Sequence, residues 1–310
     1  MYSTGFIGVA GLPRAGSTLL CQLLAEHPDI HCEGHSSPLC NALLNVRRFI
    51  SDDAFFLAQL DVQPSRTYAH LKQAMTGFLK SWYHDCDKPW VVDKNRAWLH
   101  GIELLLQLEP NARLLINIRE LGQVYGSIEA QHQRTVLVDF VDHLADFDRY
   151  HRAIQLFTPG KAVGTPLSSI RAVQNLPAAI RDRLYFVKFE HLVAEPVACM
   201  NRIFGWLGLK PHDIDPQHLT LLAQESDSHY RLKFPHRRSG AIVPPQRHEI
   251  PPAIQQQIEA THAWFYRAFY SPPEGGGENY RCVNVSKPVN PTSVSAELKD
   301  VPVAPACSTR

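Results

Sequence analysis

The sequence is poor in the features that mark several common protein classes. Its 310 residues carry a formal net charge of only +1, so neither nucleic-acid nor membrane binding is indicated. No apolar run is long enough to span a bilayer, and the first residues, MYSTGFIGVAG, lack the basic and long apolar segments of a signal peptide. The seven cysteines form no C-x-x-C pair, which argues against a zinc site. We therefore expect a cytoplasmic protein with reduced thiols, no metal requirement and no nucleic-acid or membrane partner.

The sequence does contain an alternation of short apolar strands with amphipathic helices. The strand candidates are GFIGVAG near the beginning, WVVDK at 90–94, RLLINIR at 113–119 and RLYFVKFE at 183–190. Strands that alternate with helices form a parallel sheet covered on both faces. We therefore predict an α/β fold, namely a P-loop-like three-layer sandwich with a central, mostly parallel sheet flanked by helices.

The chain divides into one large domain and a tail. Residues 1–270 are predicted to form the domain, in which 36–86 is mostly helical and single helices cover 138–157 and 251–270. Residues 271–310 are rich in Pro, Ser and Val and show no periodicity. We expect this tail to be disordered or loosely packed.

The segment GLPRAGSTLL, residues 11–20, joins the first strand to the first helix. Gly11 and Gly16 have the spacing of a P-loop, but Ser17 stands where that motif has its lysine, and Arg14 lies inside the loop. Such a turn directs backbone N–H groups at an anion, and the helix dipole favours negative charge there. The missing lysine argues against triphosphate hydrolysis. The predicted anion-binding residues are Arg14, Ala15, Gly16, Ser17, Thr18 and Leu19.

A second anion site is indicated where the third predicted strand ends. Arg119 leaves the carboxyl end of that strand, and Ser127 follows eight residues later in the next predicted helix. Open α/β sheets bind ligands in the crevice at this edge. The guanidinium fork and the hydroxyl would form a second phosphate clamp.

The two motifs together resemble those of sulfotransferases that use 3′-phosphoadenosine 5′-phosphosulfate (PAPS), class EC 2.8.2. In that family the Pro-Arg-x-Gly-Ser/Thr-Thr loop holds the 5′-phosphosulfate, and an Arg and a Ser eight residues apart hold the 3′-phosphate. The resemblance covers most of residues 5–270 and implies a sulfotransferase domain. It implies PAPS as donor, 3′,5′-adenosine bisphosphate (PAP) as product and no need for a metal.

The tyrosylprotein sulfotransferase branch, including bacterial members, is the most similar. The run GLPRAGSTLLCQLLAEHPDIHCEGHSSP is similar to the beginning of those enzymes, and FVKFEHLVAEP is similar to a later strand and loop, with Phe189 in place of tyrosine. VVDKNRAW is similar to their segment with a catalytic lysine, which is Lys94 here. Arg14 and Lys94 are therefore expected to stabilise the charge that grows on the bridging oxygen.

The catalytic base is the point where this sequence departs from that branch. An ungapped alignment puts His35 at the position of the base glutamate, and Glu33 lies two residues earlier. A histidine titrates near neutral pH, and a glutamate also serves as a base when partly buried. Both residues are retained as candidates.

A basic and aromatic segment, SDSHYRLKFPHRRSGAIVPP at 226–245, is predicted to close over the adenine and the 3′-phosphate. Its candidate cofactor-binding residues are Ser228, Lys233, Arg237 and Arg238. A solvated basic loop and a binding surface for an acidic peptide are the alternatives for this segment.

The acceptor is open at the level of sequence. A peptide or protein tyrosine is the preferred acceptor, and a small phenol, alcohol or carbohydrate is the alternative. A P-loop nucleotide kinase or nucleotide-binding protein is a more distant possibility, against which Ser17 argues. The expected partners are an acceptor peptide or small hydroxylated molecule and, in a homodimer, a second copy of the chain.

Overall fold

A computed structural model describes residues 5–134, 144–220 and 240–271. Its centre is a five-stranded sheet in which every strand pair is parallel, with the order β2-β3-β1-β4-β5. The strands are β1 (Gly5–Gly11), β2 (Ile30–Ser36), β3 (Trp90–Lys94), β4 (Arg113–Ile118) and β5 (Leu184–Lys188). The predicted α/β fold is confirmed, and four of these strands were predicted.

Strand β2 was not predicted, although its sequence carries a weak strand pattern. In IHCEGHS the buried positions are Ile30, Cys32 and Gly34, which alternate with polar residues. Two of these three buried residues are small, so the period-2 pattern has little apolar character. The strand lies at the edge of the sheet, where burial on both faces is not required.

Helices follow or precede each strand and cover both faces of the sheet. They are α1 (Ser17–Ala25), α2 (Leu39–Ser51), α3 (Ala54–Val62), α4 (Pro64–Trp82), α5 (Trp98–Leu108), α6 (Leu121–His132), α7 (Arg149–Phe157), α8 (Gly164–Val173), α9 (Ala178–Arg181), α10 (Phe189–Ala194), α11 (Pro196–Leu207), α12 (Pro252–Thr261) and α13 (Ala263–Phe269). A short 3₁₀ turn covers Leu144–Asp146. Within the described ranges, none of the helices combines the length and the apolar character needed to cross a membrane.

Two hydrophobic cores, one on each face of the sheet, give the molecule its three layers. The larger core includes Phe6, Trp98 and Tyr125 and joins one face of the sheet to α2, α4–α8, α12 and α13. The smaller core includes Ile7 and Phe204 and joins the opposite face to α1, α10 and α11. Successive residues of β1 contribute to opposite cores because side chains alternate across a strand. Helices packed on both faces leave the carboxyl edge of the sheet available for a site.

Two long helices predicted from the sequence differ in the structure. The predicted helix over 138–157 is described only from residue 144, where a 3₁₀ turn precedes α7. The predicted helix over 251–270 divides at His262 into α12 and α13. Residues 272–310 lie outside the described part of the chain, so the predicted tail and the domain boundary at 270 stay predictions.

Candidate functional site

The loop between β1 and α1 has the backbone shape of an anion-binding turn. Gly11 has φ +129°, and a Cβ placed on it would collide with the backbone of Asn117. Gly16 has φ +82° and precedes α1 without a capping side chain. A Cβ at that position would collide with the ring of Phe189. Both positions therefore need glycine, and the positive end of the α1 dipole faces the loop.

Arg14, Arg119 and Ser127 come together around this loop. Arg14 Nε donates to Ser127 Oγ at 3.0 Å, and Arg119 Nη1 donates to the carbonyl oxygen of Arg14 at 2.9 Å. Arg14 itself has φ +60°, a left-handed conformation that is rare outside glycine. The two sequence motifs therefore form one cationic cluster at the carboxyl edge of the sheet.

Arg119 is buried, and nearby carboxylates compensate its positive charge only in part. Its guanidinium carbon lies 4.5 Å from the centre of the Phe189 ring. Burial lowers the pKa of Arg119, the carboxylate of Glu190 raises it, and the charge of Arg14 lowers it again. A guanidinium stays protonated under such conditions, so the cluster retains its positive charge.

His248 lies beside this cluster, and no sequence pattern identifies it. Its backbone N–H donates to Gln123 Oε1 at 2.9 Å, and Gln123 Nε2 donates to its carbonyl oxygen at 3.0 Å. Burial lowers the pKa of His248, and the charges of Arg119, Arg14 and Arg134 lower it further. The pKa of His248 therefore depends on the positive charge of the cluster.

Two carboxylates secure the C-terminal helices to the edge of the site. Glu120 accepts from the backbone N–H groups at the start of α6 and from Gln255 and Tyr266. Burial alone would raise the pKa of Glu120, but these hydrogen bonds lower it. Glu190 accepts from the backbone N–H of Glu120 at 3.0 Å and from the hydroxyl of Tyr270. Sequence reasoning missed both residues because their partners are up to 146 positions away.

Lys94 connects the anion loop to the edge strand. It ends β3 and is buried, with only 6% of its surface exposed. Its Nζ donates to Thr18 Oγ1 at 3.2 Å and to the carbonyl oxygen of Gly34 at 3.4 Å. A buried ammonium group therefore lies between the first turn of α1 and strand β2.

The neighbouring Asp93 has a structural role on the opposite side of the strand. It accepts from the Tyr83 hydroxyl at 2.8 Å and from Trp98 Nε1 at 2.6 Å. Burial raises the pKa of Asp93, and hydrogen bonds from Ser37, Trp98 and Tyr83 act in the other direction. Consecutive residues of a strand point to opposite faces, so Asp93 anchors β3 to the helical layer while Lys94 faces the loop.

Glu33 and His35, the two candidate bases, contact each other at an irregularity in β2. The pairing of β2 with β3 shifts register between Cys32 and Ser36, and Gly34 has φ +78°. Bulges of this kind re-aim side chains at strand edges. His35 Nε2 lies 3.1 Å from Glu33 Oε2, and both side chains are partly exposed.

His31 extends this pair along the strand. Its Nε2 lies 4.0 Å from Glu33 Oε1, so the carboxylate stands between two imidazoles. The other ring nitrogen of His35, Nδ1, is buried and has no hydrogen-bond partner among the described atoms. The spacing of positions 31, 33 and 35 along a strand would have predicted this row if β2 had been recognised.

Four predicted cofactor-binding residues lie outside the described residues, namely Ser228, Lys233, Arg237 and Arg238. Their contribution stays a prediction. Ala15, Ser17 and Leu19 lie in the loop and first turn of α1 as expected, and Asn117 Nδ2 donates to the carbonyl oxygen of Ala15. The described ranges contain no group of three or more His, Cys, Asp or Glu residues with the geometry to hold a metal ion.

Comparisons with known proteins agree on one family. A model of the sulfotransferase family matches residues 7–213. Protein-tyrosine sulfotransferase A of Caenorhabditis elegans is 24% identical over 242 residues, which cover 77% of this chain and 58% of that protein. Protein-tyrosine sulfotransferase 1 of Mus musculus is 30% identical over 154 residues, or 48% of this chain and 40% of that protein. The chain thus spans about half the length of the curated relatives it matches.

A bacterial protein and a solved structure are also similar to this chain. Nodulation protein NoeE of Sinorhizobium fredii is 25% identical over 224 residues, which cover 66% of this chain and 50% of that protein. The sulfotransferase domain from the curacin biosynthetic pathway aligns with a TM-score of 0.49 at 14% identity, over 85% of this chain and 99% of that one. The family model covers more than half of the sequence, including the loop at 11–20, Arg119, Ser127 and strand β2. The chain belongs to the sulfotransferase family.

Proposed function

We propose that this protein transfers a sulfuryl group from PAPS to an acceptor hydroxyl, with a peptide or protein tyrosine as the preferred acceptor. The observation that carries this proposal is the position of Lys94. Its ammonium group touches both Thr18, at the anion loop, and Gly34, between the two candidate bases. This geometry suits an enzyme that brings a bound anion and an activated hydroxyl to one cation.

The donor is supported by the chemistry of the residues that would hold it. Arg14 and Arg119 supply charge and planar forks, and Ser127 and Thr18 supply hydroxyls. Gly16 leaves the start of α1 without a side-chain cap, which suits a phosphate or sulfate oxygen. PAPS has two separate anionic groups, a 5′-phosphosulfate and a 3′-phosphate. They match the two predicted anion-binding motifs, the loop at 11–20 and the pair Arg119 and Ser127. PAPS would supply the activated sulfur–oxygen bond.

The reaction requires a base, a cation and an in-line arrangement. The acceptor hydroxyl gives its proton to His35 or Glu33 as its oxygen bonds to sulfur. The bond between sulfur and the bridging oxygen breaks, and its electron pair stays on the 5′-phosphate. Arg14 and Lys94 are the cations assigned to that negative charge. Because His35 Nε2 lies 3.1 Å from Glu33 Oε2, either residue acts as the base with the other beside it.

The tyrosine acceptor is favoured by the relatives. The Caenorhabditis and Mus proteins are protein-tyrosine sulfotransferases by name, and the Sinorhizobium protein carries a different name. The proposal is tested by incubating the protein with PAPS labelled in the sulfate and with tyrosine peptides, simple phenols and sugars. Labelled tyrosine O-sulfate is the expected product. Label on a phenol or sugar alone would retain the enzyme class and reject the tyrosine.

The competing assignment as a nucleotide kinase is tested by ligand-induced stabilisation. PAP should raise the melting temperature more than ATP with Mg²⁺, because a ligand that binds only the folded state stabilises it. Stabilisation by ATP with Mg²⁺ alone would reject the PAPS site. Arg119→Ala is the control, because it removes a predicted phosphate-binding side chain and leaves the sequence of residues 11–20 intact. PAP should stabilise this variant less than it stabilises the wild type.

The proposed homodimer is supported by the exposed surface of helices α2 and α3. Helix α3 has the sequence AFFLAQLDV, yet none of its residues is buried in the described structure. Phe49, Phe55 and Val62 are 73%, 85% and 78% exposed. Apolar surface of this kind marks an interaction site. Sedimentation of the wild type and of a Phe55→Ser, Val62→Ser variant tests it: a dimer that the variant does not form is expected, and a monomeric wild type rejects the dimer.

A further inference from the structure

A cavity lies between helices α7, α8 and α12, and none of the residues assigned to sulfuryl transfer lines it. Its volume is about 350 Å³. Each helix contributes a stripe with the spacing of one helical face, for example Ala153 and Phe157 from α7 and Ile254 and Ile258 from α12. Apolar side chains from α7, α8 and α12 line this space without filling it, as in a binding site for a small molecule.

The cavity has an apolar floor and a mixed rim. Ala153, Phe157, Leu167, Ile254 and Ile258 are buried at its base. At the rim, Tyr150 and Ile154 are still 41% and 39% exposed. Large apolar side chains that stay exposed beside a cavity favour a ligand with an apolar body.

The charged side chains among the described residues that line the cavity are of one sign only. The described residues around the cavity include one arginine, Arg171, and no aspartate or glutamate. The guanidinium carbon of Arg171 lies 5.6 Å from the centre of the Trp264 ring, and no carboxylate of the described residues forms an ion pair with it. His262 packs against Phe157 with ring centres 5.2 Å apart, and burial lowers the pKa of His262.

These features specify the chemistry of the ligand. The cation–π contact with Trp264 holds the guanidinium of Arg171 beside the cavity, and its N–H groups can donate to an anion. Ser168 lies one helical turn before Arg171 on the same rim and offers a hydroxyl to the same group. We propose that the α7–α8–α12 cavity binds an amphipathic monocarboxylate, with its apolar body on the floor and its carboxylate at Arg171.

Calorimetric titration of the full chain with decanoate, below its micelle concentration, tests the proposal. One decanoate should bind per chain, and Arg171→Gln should weaken binding about tenfold, the scale of one charge-assisted hydrogen-bonded pair. Arg267→Gln is the matched control, because Arg267 is exposed on the neighbouring helix α13 and does not line the cavity. It should bind decanoate as the wild type does.

Two further measurements distinguish binding in this cavity from nonspecific adsorption and from binding at the anion loop. Ser168→Trp, at an exposed position, should abolish decanoate binding while leaving the melting temperature unchanged, so its outcome is independent of the sulfotransferase assignment. Decanol, which has the same chain and no charge, should bind at least about tenfold more weakly than decanoate. No saturable decanoate binding to the wild type, or equal binding to the wild type and Arg171→Gln, would overturn the proposal.

Discussion

At the residue scale, Arg14 adopts an unfavourable backbone conformation in which it makes two contacts with other residues of the site. Its φ of +60° places it in the left-handed region, at a typical cost of about 1–2 kcal/mol. In that conformation its Nε reaches Ser127, and its carbonyl oxygen accepts from Arg119. A strained residue with its polar groups directed at other site residues is typical of binding sites. Contacts within the protein itself thus position the two arginines.

The first prediction concerns Arg119. Arg119→Ala should weaken PAP binding by about 1.5–3 kcal/mol, because a charge-assisted hydrogen-bond donor is removed from the ligand and from the loop carbonyl. Calorimetry measures the change. Arg66→Ala, on the exposed surface of α4, is the control and should leave the affinity unchanged. Equal affinities for the wild type and Arg119→Ala would show that no arginine clamp holds the nucleotide.

The second prediction uses His248 as a probe of the same charges. In the free protein its pKa should lie below 6.5, because burial and the nearby arginines disfavour the imidazolium. Bound PAP brings negative charge to those arginines, so the pKa of His248 should rise on binding. NMR titration of the imidazole, assigned with His248→Gln, gives both values. A pKa that is unchanged by saturating PAP would place the anion elsewhere.

The third prediction separates the roles of Glu33 and His35. If His35 is the base, His35→Ala should lower turnover by roughly 10²–10⁴-fold with PAP affinity nearly intact, and Glu33→Gln should have a smaller effect. If Glu33 is the base, Glu33→Gln is the more damaging change. Steady-state kinetics with a saturating donor compare the variants. Full activity in both would exclude the edge strand as the source of the base.

At the scale of elements, the bulge in β2 explains why the two candidate bases meet. A regular edge strand would hold Glu33 and His35 on one face at the fixed spacing of alternate residues. The register shift and the left-handed Gly34 change that geometry, and the side chains reach 3.1 Å. The same glycine presents its carbonyl oxygen to Lys94. The bulge thus positions two candidate bases and one contact of Lys94.

The fourth prediction tests this bulge with matched glycines. Gly34→Ala and Gly208→Ala should each destabilise the protein by about 1–2 kcal/mol, because φ is +78° and +80° at these positions. Gly208 caps α11 far along the chain from the site residues. Turnover should therefore fall in Gly34→Ala and stay unchanged in Gly208→Ala. Urea unfolding and steady-state assays check both, and matching turnover in the two variants would contradict a positioning role for the bulge.

At the scale of the whole molecule, the parallel sheet brings residues that are far apart in the sequence together at one edge. The sequence indicated the loop at 11–20 and Arg119 because each follows an apolar strand, and parallel strands end at one edge, whereas Lys94 was implied by the resemblance to sulfotransferases. It did not predict Glu190 or His248, whose roles depend on packing between segments more than 60 positions apart. Strand β2 was missed because its buried residues include a cysteine and a glycine instead of large apolar side chains. Local motifs thus indicated candidate residues, and tertiary contacts supplied their hydrogen-bond partners.

The central claim is that sulfuryl transfer occurs at Lys94, where the anion loop meets the edge strand. The most direct measurement is single-turnover transfer of labelled sulfate from PAPS to a tyrosine peptide, by the wild type and by Lys94→Ala, with PAP affinity measured in parallel. Tyrosine O-sulfate is the product expected with the wild type. Lys94→Ala should transfer at least about 10²-fold more slowly with a much smaller change in PAP affinity, because the lysine acts mainly when charge develops. Equal transfer rates for the two proteins, or no transfer by the wild type to any hydroxyl acceptor, would contradict the claim.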